Sequence, residues 1–426
     1  MNIERIKEVT AELNRTTPDN IVSVGYGYKE KDNKTLSQRS ITFTVTEKKP
    51  LSEIPENERI PSEVVIDGET YVTDVVQGVY ELQAYVDCSG SDPDFYAWSG
   101  TTPANRDKIR PIQGGISVSN YTSRYSYVGT LGFVAVDNDT NSLVGVSNNH
   151  VLIDDAVFAS SRPSTGSTFT NVAGDISTQP NESINRSLSN RIGLVKKYQP
   201  IHPSPSINYV DAACIALDQT VVSDSDSWKQ YGITGMTSAP RFATTQEIDT
   251  VLNDPNKTFY SSGRTTGAKG EGLTKLYCVV SSSSVNLQYP SQGGAVVCTM
   301  NESFELAARN PSTPEGDWCT YPSTGGDSGS AILTEINGEF VIVGLLYAGR
   351  RTLFGLGPSI ITVCCRIDRV AEALNISAWN GSLSGVSFSN NSSPETVIIA
   401  GQSSEKTVTL NGKIYWQVGV TTSSPT

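Results

Sequence analysis

Histidine is almost missing from this chain. Of 426 residues only His150 and His202 are histidines, and no Cys-x-x-Cys pair occurs. Zinc sites are built from closely spaced Cys and His ligands, so no metal and no cofactor is expected. No run approaches the roughly 18 apolar residues that a membrane helix needs. The opening MNIERIKEVTAELNRTT is polar and lacks the apolar centre of a secretory signal. Positive charge is also in deficit: 32 Lys and Arg face 44 Asp and Glu, a net charge of −12. Nucleic acids and anionic membranes are held by clustered Lys and Arg. Neither is therefore expected as a partner, and the acidity is read as keeping the chain in solution. Cysteines number seven: Cys88, Cys214, Cys278, Cys298, Cys319, Cys364 and Cys365. The count is odd and two are adjacent, which predicts reduced thiols and a cytoplasmic location.

What the chain does have is Gly, Ser and Thr between short apolar runs. Hydrophobic residues make up 37%, and such a mixture suits strands joined by many turns. The length predicts two or three domains. IERIKEVTAEL (3–13) places apolar residues at three- and four-residue steps and predicts a helix. NIVSVGYGY and RSITFTVTEKK alternate and predict strands, and SEVVIDGETYVTDVVQ predicts a hairpin around Asp67-Gly68. Residues 1–82 thus read as a small α/β domain and 83–112 as a turn-rich connector. From 113 to 378 short strands repeat, as in an all-β barrel or sandwich, with DRVAEALNI (368–376) as the one strong helix. Residues 379–426 read as a Ser-, Asn- and Thr-rich β appendage or tail, with strand-like VIIAGQ and TVTLNGKIYWQVGV.

One string in this β region, YPSTGGDSGS (321–330), frames Ser328 with turn-forming residues. It is either a tight turn or an exposed nucleophile with backbone N–H groups converging beside it. A serine nucleophile needs a base, and the base needs a group that holds its tautomer. His150, in LVGVSNNHVLID, follows a strand end and is either that base or a core or turn histidine. His202, in the Pro-flanked QPIHPSPS, reads as an ordinary surface residue. Asp211, in NYVDAACIAL, begins a buried-looking strand, where an unpaired carboxylate is costly. It is the candidate for the orienting acid. Asp154 and Asp155 lie too near His150 along the chain to face it across a barrel. Asp218 ends a strand and is expected to face water.

The segments SNNHVL, VDAACIAL and TGGDSGSAIL, in that order, resemble the histidine, aspartate and serine motifs of trypsin-like serine peptidases. VGTLGFVAVD, SSGRTTGAKGEGLT and IVGLLYAG add to the likeness. NIVSVGYGYKE with FTVTEKKPLSEIP and TDVVQ resembles the leading domain of cytosolic-type bacterial members. The likeness spans residues 1 to about 378. It implies a mainly β chain, a chymotrypsin-like double β-barrel with a small N-terminal α/β domain, to which the composition after 378 adds a β-rich C-terminal extension. It also implies a serine endopeptidase acting on a protein or peptide substrate. Ser328 would attack, His150 would carry the proton, and Asp211 would fix the imidazole. The N–H groups of Gly326 and Ser328 would form the oxyanion hole. Pro322, Thr324, Tyr347, Ala348 and Gly349 would line the first specificity pocket.

Departures from the family pattern are informative. Val151 and Thr324 stand where secreted members carry disulfide cysteines. Those members also need a freed N-terminus to pair with the aspartate before the serine, here Asp327. IRPIQGGISV (109–118) echoes such a site, but Pro111 would block cleavage after Arg110. Asp327 is therefore expected to have internal partners, release of a new N-terminus near Ile112 being the alternative. Two other functions stay open. One is a catalytically silent trypsin-fold binding or structural module, such as a scaffold or virion component. The other is an ester hydrolase, although the elbow G-x-S-x-G is absent at Ser328. Pro322 occupies the place where trypsin-like members set an acid for Lys or Arg. A peptide library is accordingly expected to show an apolar or small first-site residue, and a strong Arg or Lys preference would overturn that.

Overall fold

Alternating, β-branched stretches of the sequence become strands in the computed structural model. It describes residues 3–16, 20–31, 34–82, 85–86, 104–120, 127–153, 176–179, 188–269, 277–290, 297–309, 318–320, 323–351 and 361–388. The chain is mainly β, as expected, and is built on two curled sheets. The strand-like segments anticipated after residue 396 lie outside the described residues, as do most of the connector and Trp416.

Residues 3–82 supply helix α1 (Ile3–Thr16) and strands β1 (Ile21–Lys31), β2 (Lys34–Val45), β3 (Glu63–Ile66), β4 (Glu69–Gln77) and β5 (Val79–Leu82). The expected hairpin is present: Asp67 and Gly68, at φ 50° and 85°, turn β3 into β4. Positive φ at both central residues matches the twist of the flanking strands. Ile6 of α1 packs on Val24, Ile41 and Phe43 in a core of its own.

Among the described residues the first sheet holds nine strands. They include β6 (Tyr85–Val86), β7 (Ser117–Asn120), β8 (Tyr127–Thr130), β9 (Phe133–Asp137), β10 (Ser142–Ser147), β11 (Ile176–Thr178) and β12 (Arg191–Tyr198). The strands Ala213–Leu217 and Ile376–Ala378 complete it. Its interior is filled by Ile116, Leu131, Leu143, Ile192 and Ile215. The second sheet runs through Tyr260–Gly263, Ala331–Ile336, Glu339–Arg351, Ile361–Arg366, Val297–Arg309 and Tyr277–Pro290, and then continues into β1 and β2. The N-terminal strands are thus hydrogen-bonded into this sheet rather than closed on themselves. The helix expected near 368–376 is observed at Ile367–Leu374, ended by Asn375 in the left-handed region. A second helix, Thr245–Leu252, was not anticipated.

The union of the leading strands with the second sheet has a charged centre. Arg350 is buried and pairs with Glu30 of β1, while its Nε lies 3.9 Å from Glu305. Burial alone would lower the pKa of this guanidinium, but the carboxylates of Glu30 and Glu305 raise it above its ordinary value. Tyr80 of β5 donates to Glu305 at 2.7 Å. Removing one member of a buried ion cluster leaves its partners desolvated and uncompensated. Arg350→Ala is expected to cost about 3–5 kcal/mol, read from urea unfolding. A cost under about 1 kcal/mol would place these charges with the solvated pairs of the surface.

Candidate active site

The histidine and the aspartate meet because two strands are in register. β10 pairs antiparallel with Ala213–Leu217, Ser147 facing Ala213. The residues just past the end of β10 therefore lie beside those just before Ala213. After Ser147 the chain makes a single helical turn, Asn149–Leu152, that carries His150. Two asparagines pin this turn: Asn148 donates to the Asp211 carbonyl and Asn149 to that of Gln199, both at 2.6 Å. His150 and Asp211 are fully buried. One Asp211 oxygen is hydrogen-bonded to His150 Nδ1, and the other accepts the His150 backbone N–H at 3.2 Å. A carboxylate at Nδ1 keeps the ring proton there and makes Nε2 the basic nitrogen.

Ser328 comes from the second sheet. Its turn is built by Asp327 N–H donating to Thr324 O at 3.1 Å and Ser330 N–H donating to Asp327 O at 3.0 Å. Gly326 and Gly329 both have φ of 93°, a region L side chains avoid. A Cβ on Gly329 would stand 2.2 Å from Thr130 O, so the close approach of the two sheets also requires glycine there. The Asp327 carboxylate is filled by three backbone donors: Thr265 and Thr266 at 2.9 and 3.1 Å, and Thr324 at 3.0 Å. Asp327 thus has internal partners, as anticipated. Ile112, the alternative source of a partner, is buried elsewhere with its N–H on Val221 O. Among the described residues, neither Gly326 N–H nor Ser328 N–H is taken by an acceptor.

The two halves join at Thr130. Its N–H donates to Ser328 O at 2.7 Å, and its carbonyl accepts Ser147 Oγ at 2.7 Å. Its hydroxyl donates to Gly326 O at 3.0 Å and accepts from Arg264 N–H at 2.9 Å. Gly129 beside it is flanked by Val151 and by Ser328 O, so the histidine turn and the serine turn are neighbours across one residue. Asp211 also reaches the second sheet, its N–H meeting Cys365 Sγ at 3.3 Å. The Ser328 hydroxyl donates to Tyr347 O at 3.2 Å.

The remaining candidates fall as follows. Pro322, Asp154 and Asp155 lie outside the described residues. Thr324 is buried in the serine turn. Tyr347 is buried with its hydroxyl 2.9 Å from Ser303 Oγ, and burial pushes its pKa well above the ordinary value. Ala348 and Gly349 are paired on one edge with Val363 and Thr362 and on the other with Leu82 and Glu81. His202 sits half-buried in a loop closed by Asn208. Asp218 is half-buried on Arg191 rather than facing water, because the cation at the start of β12 lies 3.0 Å away. Cys214, Cys298, Cys364 and Cys365 are buried. Burial raises the thiols of Cys214 and Cys298 to about 12, so they stay protonated and inert at neutral pH. Thr130 and the Thr265–Thr266 pair were not anticipated as site residues. A Thr-Thr-Gly turn offering successive N–H groups was the available signal, but nothing in the spacing assigns it to Asp327.

No protein-family model matches the sequence, and no curated protein matches it. Solved structures do align with it. Thermobifida fusca protease A is 15% identical, over 63% of this chain and 98% of that one, at a TM-score of 0.35. A glutamic acid-specific serine protease is 12% identical over 63% and 100%, at 0.34. Cellulomonas bogoriensis chymotrypsin is 15% identical over 63% and 98%, at 0.31.

Thr130→Val keeps the shape but removes the hydroxyl that serves both Arg264 N–H and Gly326 O. Leaving buried groups unsatisfied costs about 1–3 kcal/mol, and a thermal-unfolding loss of that size is expected. Unchanged stability would mean that the seam does not depend on this hydroxyl.

Proposed function

We propose that this chain is a serine endopeptidase. The observation that carries the reading is the double grip of Asp211 on His150, next to a glycine-framed serine turn with two N–H groups left for a ligand. In this reading Ser328 attacks the scissile carbonyl and His150 Nε2 takes its proton. Asp211 stabilises the imidazolium that results, and the proton passes to the leaving amine. The Gly326 and Ser328 N–H groups receive the oxyanion. Water then releases the acyl group by the same route. The internal partners of Asp327 support a serine turn that needs no cleavage near Ile112.

A second reading, a silent binding module, draws on the Ser328 hydroxyl bonding to Tyr347 O. Catalytic hydrogen bonds are often formed only when substrate is bound, so the enzyme reading is preferred. A fluorophosphonate probe is expected to label the protein at Ser328, with no labelling of Ser328→Ala. Asp211→Asn, which leaves the ring held in the wrong tautomer, is expected to lower peptide hydrolysis about 10⁴-fold. Well-folded protein that takes up no label would favour the silent module.

A further inference from the structure

We infer that the strand edge Ala348–Arg351 beside Ser328 is a docking edge for an extended peptide, and that β5 fills it in cis, so that the leading residues hold the candidate site closed. The inference rests on the peptidase reading above. Its footing is the order of partners along one strand edge. Ala331–Ile336 pairs with Glu339–Arg351 as far as Leu345. Gly329 N–H then donates to Leu346 O, Ser330 O accepts Leu346 N–H, and Ser328 Oγ donates to Tyr347 O. The next partner is β5, with Leu82 facing Ala348, Glu81 facing Gly349, Tyr80 facing Arg350 and Val79 facing Arg351. The edge that carries the serine turn is thus continued, from the next residue on, by the chain's own β5.

Adding a strand to a sheet edge is a general mode of peptide recognition. The opposite edge of Ala348–Arg350 is already taken by Ile361, Thr362 and Val363, so a peptide beside Ser328 has only the edge that β5 covers. One edge receives one strand, and β5 and a peptide therefore exclude each other. Ser328 and His150 are both fully buried, as a closed site requires. β5 is four residues long and, among the described residues, pairs with no other strand. Val79, Glu81 and Leu82 are only half-buried, and Tyr80 is the anchor. The Tyr80 hydroxyl donates to Glu305 and lies 3.2 Å from Ser23 of β1 and 3.1 Å from Thr44 of β2. Gly78 N–H donates to Val45 O at 3.0 Å. The covering strand is thus carried by the leading strands, which act on the site as one unit.

Gly78 offers a lever on this contact. A Cβ there would stand 2.8 Å from Arg350 Cγ and 3.1 Å from Arg351 O, so a side chain pushes the start of β5 away from the edge. The opposite perturbation is a clamp. Val79 and Arg351 face each other, and directly opposed residues lie near enough for a disulfide after a small adjustment. Gly78, Val79 and Arg351 stand outside the candidate active site. If β5 only supports the sheet, loosening it lowers activity and clamping it leaves activity unchanged. If β5 closes the site, loosening raises activity and clamping removes it.

Two rates are measured on the full-length chain: hydrolysis of fluorescein-labelled casein and uptake of fluorophosphonate at Ser328. Gly78→Val is expected to raise both about tenfold, the size of shift that overpacking imposes. Val79→Cys combined with Arg351→Cys is expected to lose both rates when oxidised and to regain them on reduction, the wild type being indifferent to the reductant. Should Gly78→Val fail to fold, the clamp decides alone. Equal rates in the wild type, in Gly78→Val and in both states of the clamp, with Ser328 labelled throughout, overturn the inference and leave the peptidase standing. A fall in both rates in folded Gly78→Val does the same. No label in any of these folded proteins removes the peptidase reading and the inference with it.

Discussion

Thr130 is the point on which the arrangement depends. A residue with four hydrogen-bonding contacts ties the serine turn of one sheet to the histidine strand of the other. Neither sheet contains a complete site. The histidine and aspartate are brought together by pairing within the first sheet, and the serine by a turn in the second. Their meeting depends on a seam of short polar contacts, with Gly129 and Gly329 allowing the backbones to approach. Such a seam is buried and low in dielectric, where satisfied hydrogen bonds are strong and unsatisfied ones expensive. The position of Ser328 is therefore set by bonds whose partners are almost all backbone.

The local pattern of the sequence carried much of this architecture. Alternating β-branched runs became strands, Asp67-Gly68 became the hairpin, and the IERIKEVTAEL periodicity became α1. The apolar strand after Asp211 was legible, and so was a glycine-framed Ser328. The helix Thr245–Leu252 was written less loudly. Its capping box, Thr244 with Glu247, is present in TTQEIDTVL, but the helix is short and its apolar residues are few.

Long-range pairing was what stayed hidden. Nothing in the period of β1 says that it will lie against Tyr277–Pro290, more than two hundred residues away, or that β5 will finish an edge begun by Ala331–Ile336. A strand's alternation tells which face is buried and not which neighbour it takes. The same limit applied to Asp327. Its acceptor role was foreseeable, while two of its three donors sit about sixty residues earlier, where nothing in the spacing points to it. Asp218 was misjudged for a related reason, since its partner Arg191 is supplied by a different strand.

The joining of β1 to the second sheet has a consequence for how the chain can be divided. A protein trimmed back to the double sheet would leave Tyr277–Pro290 with a row of open N–H and C=O groups from Ser282 to Leu287. Bare edges of that length invite pairing with other chains. The leading strands therefore act as an edge guard, shielding the sheet from self-association, and they can be nicked from the remainder more safely than they can be left out of it.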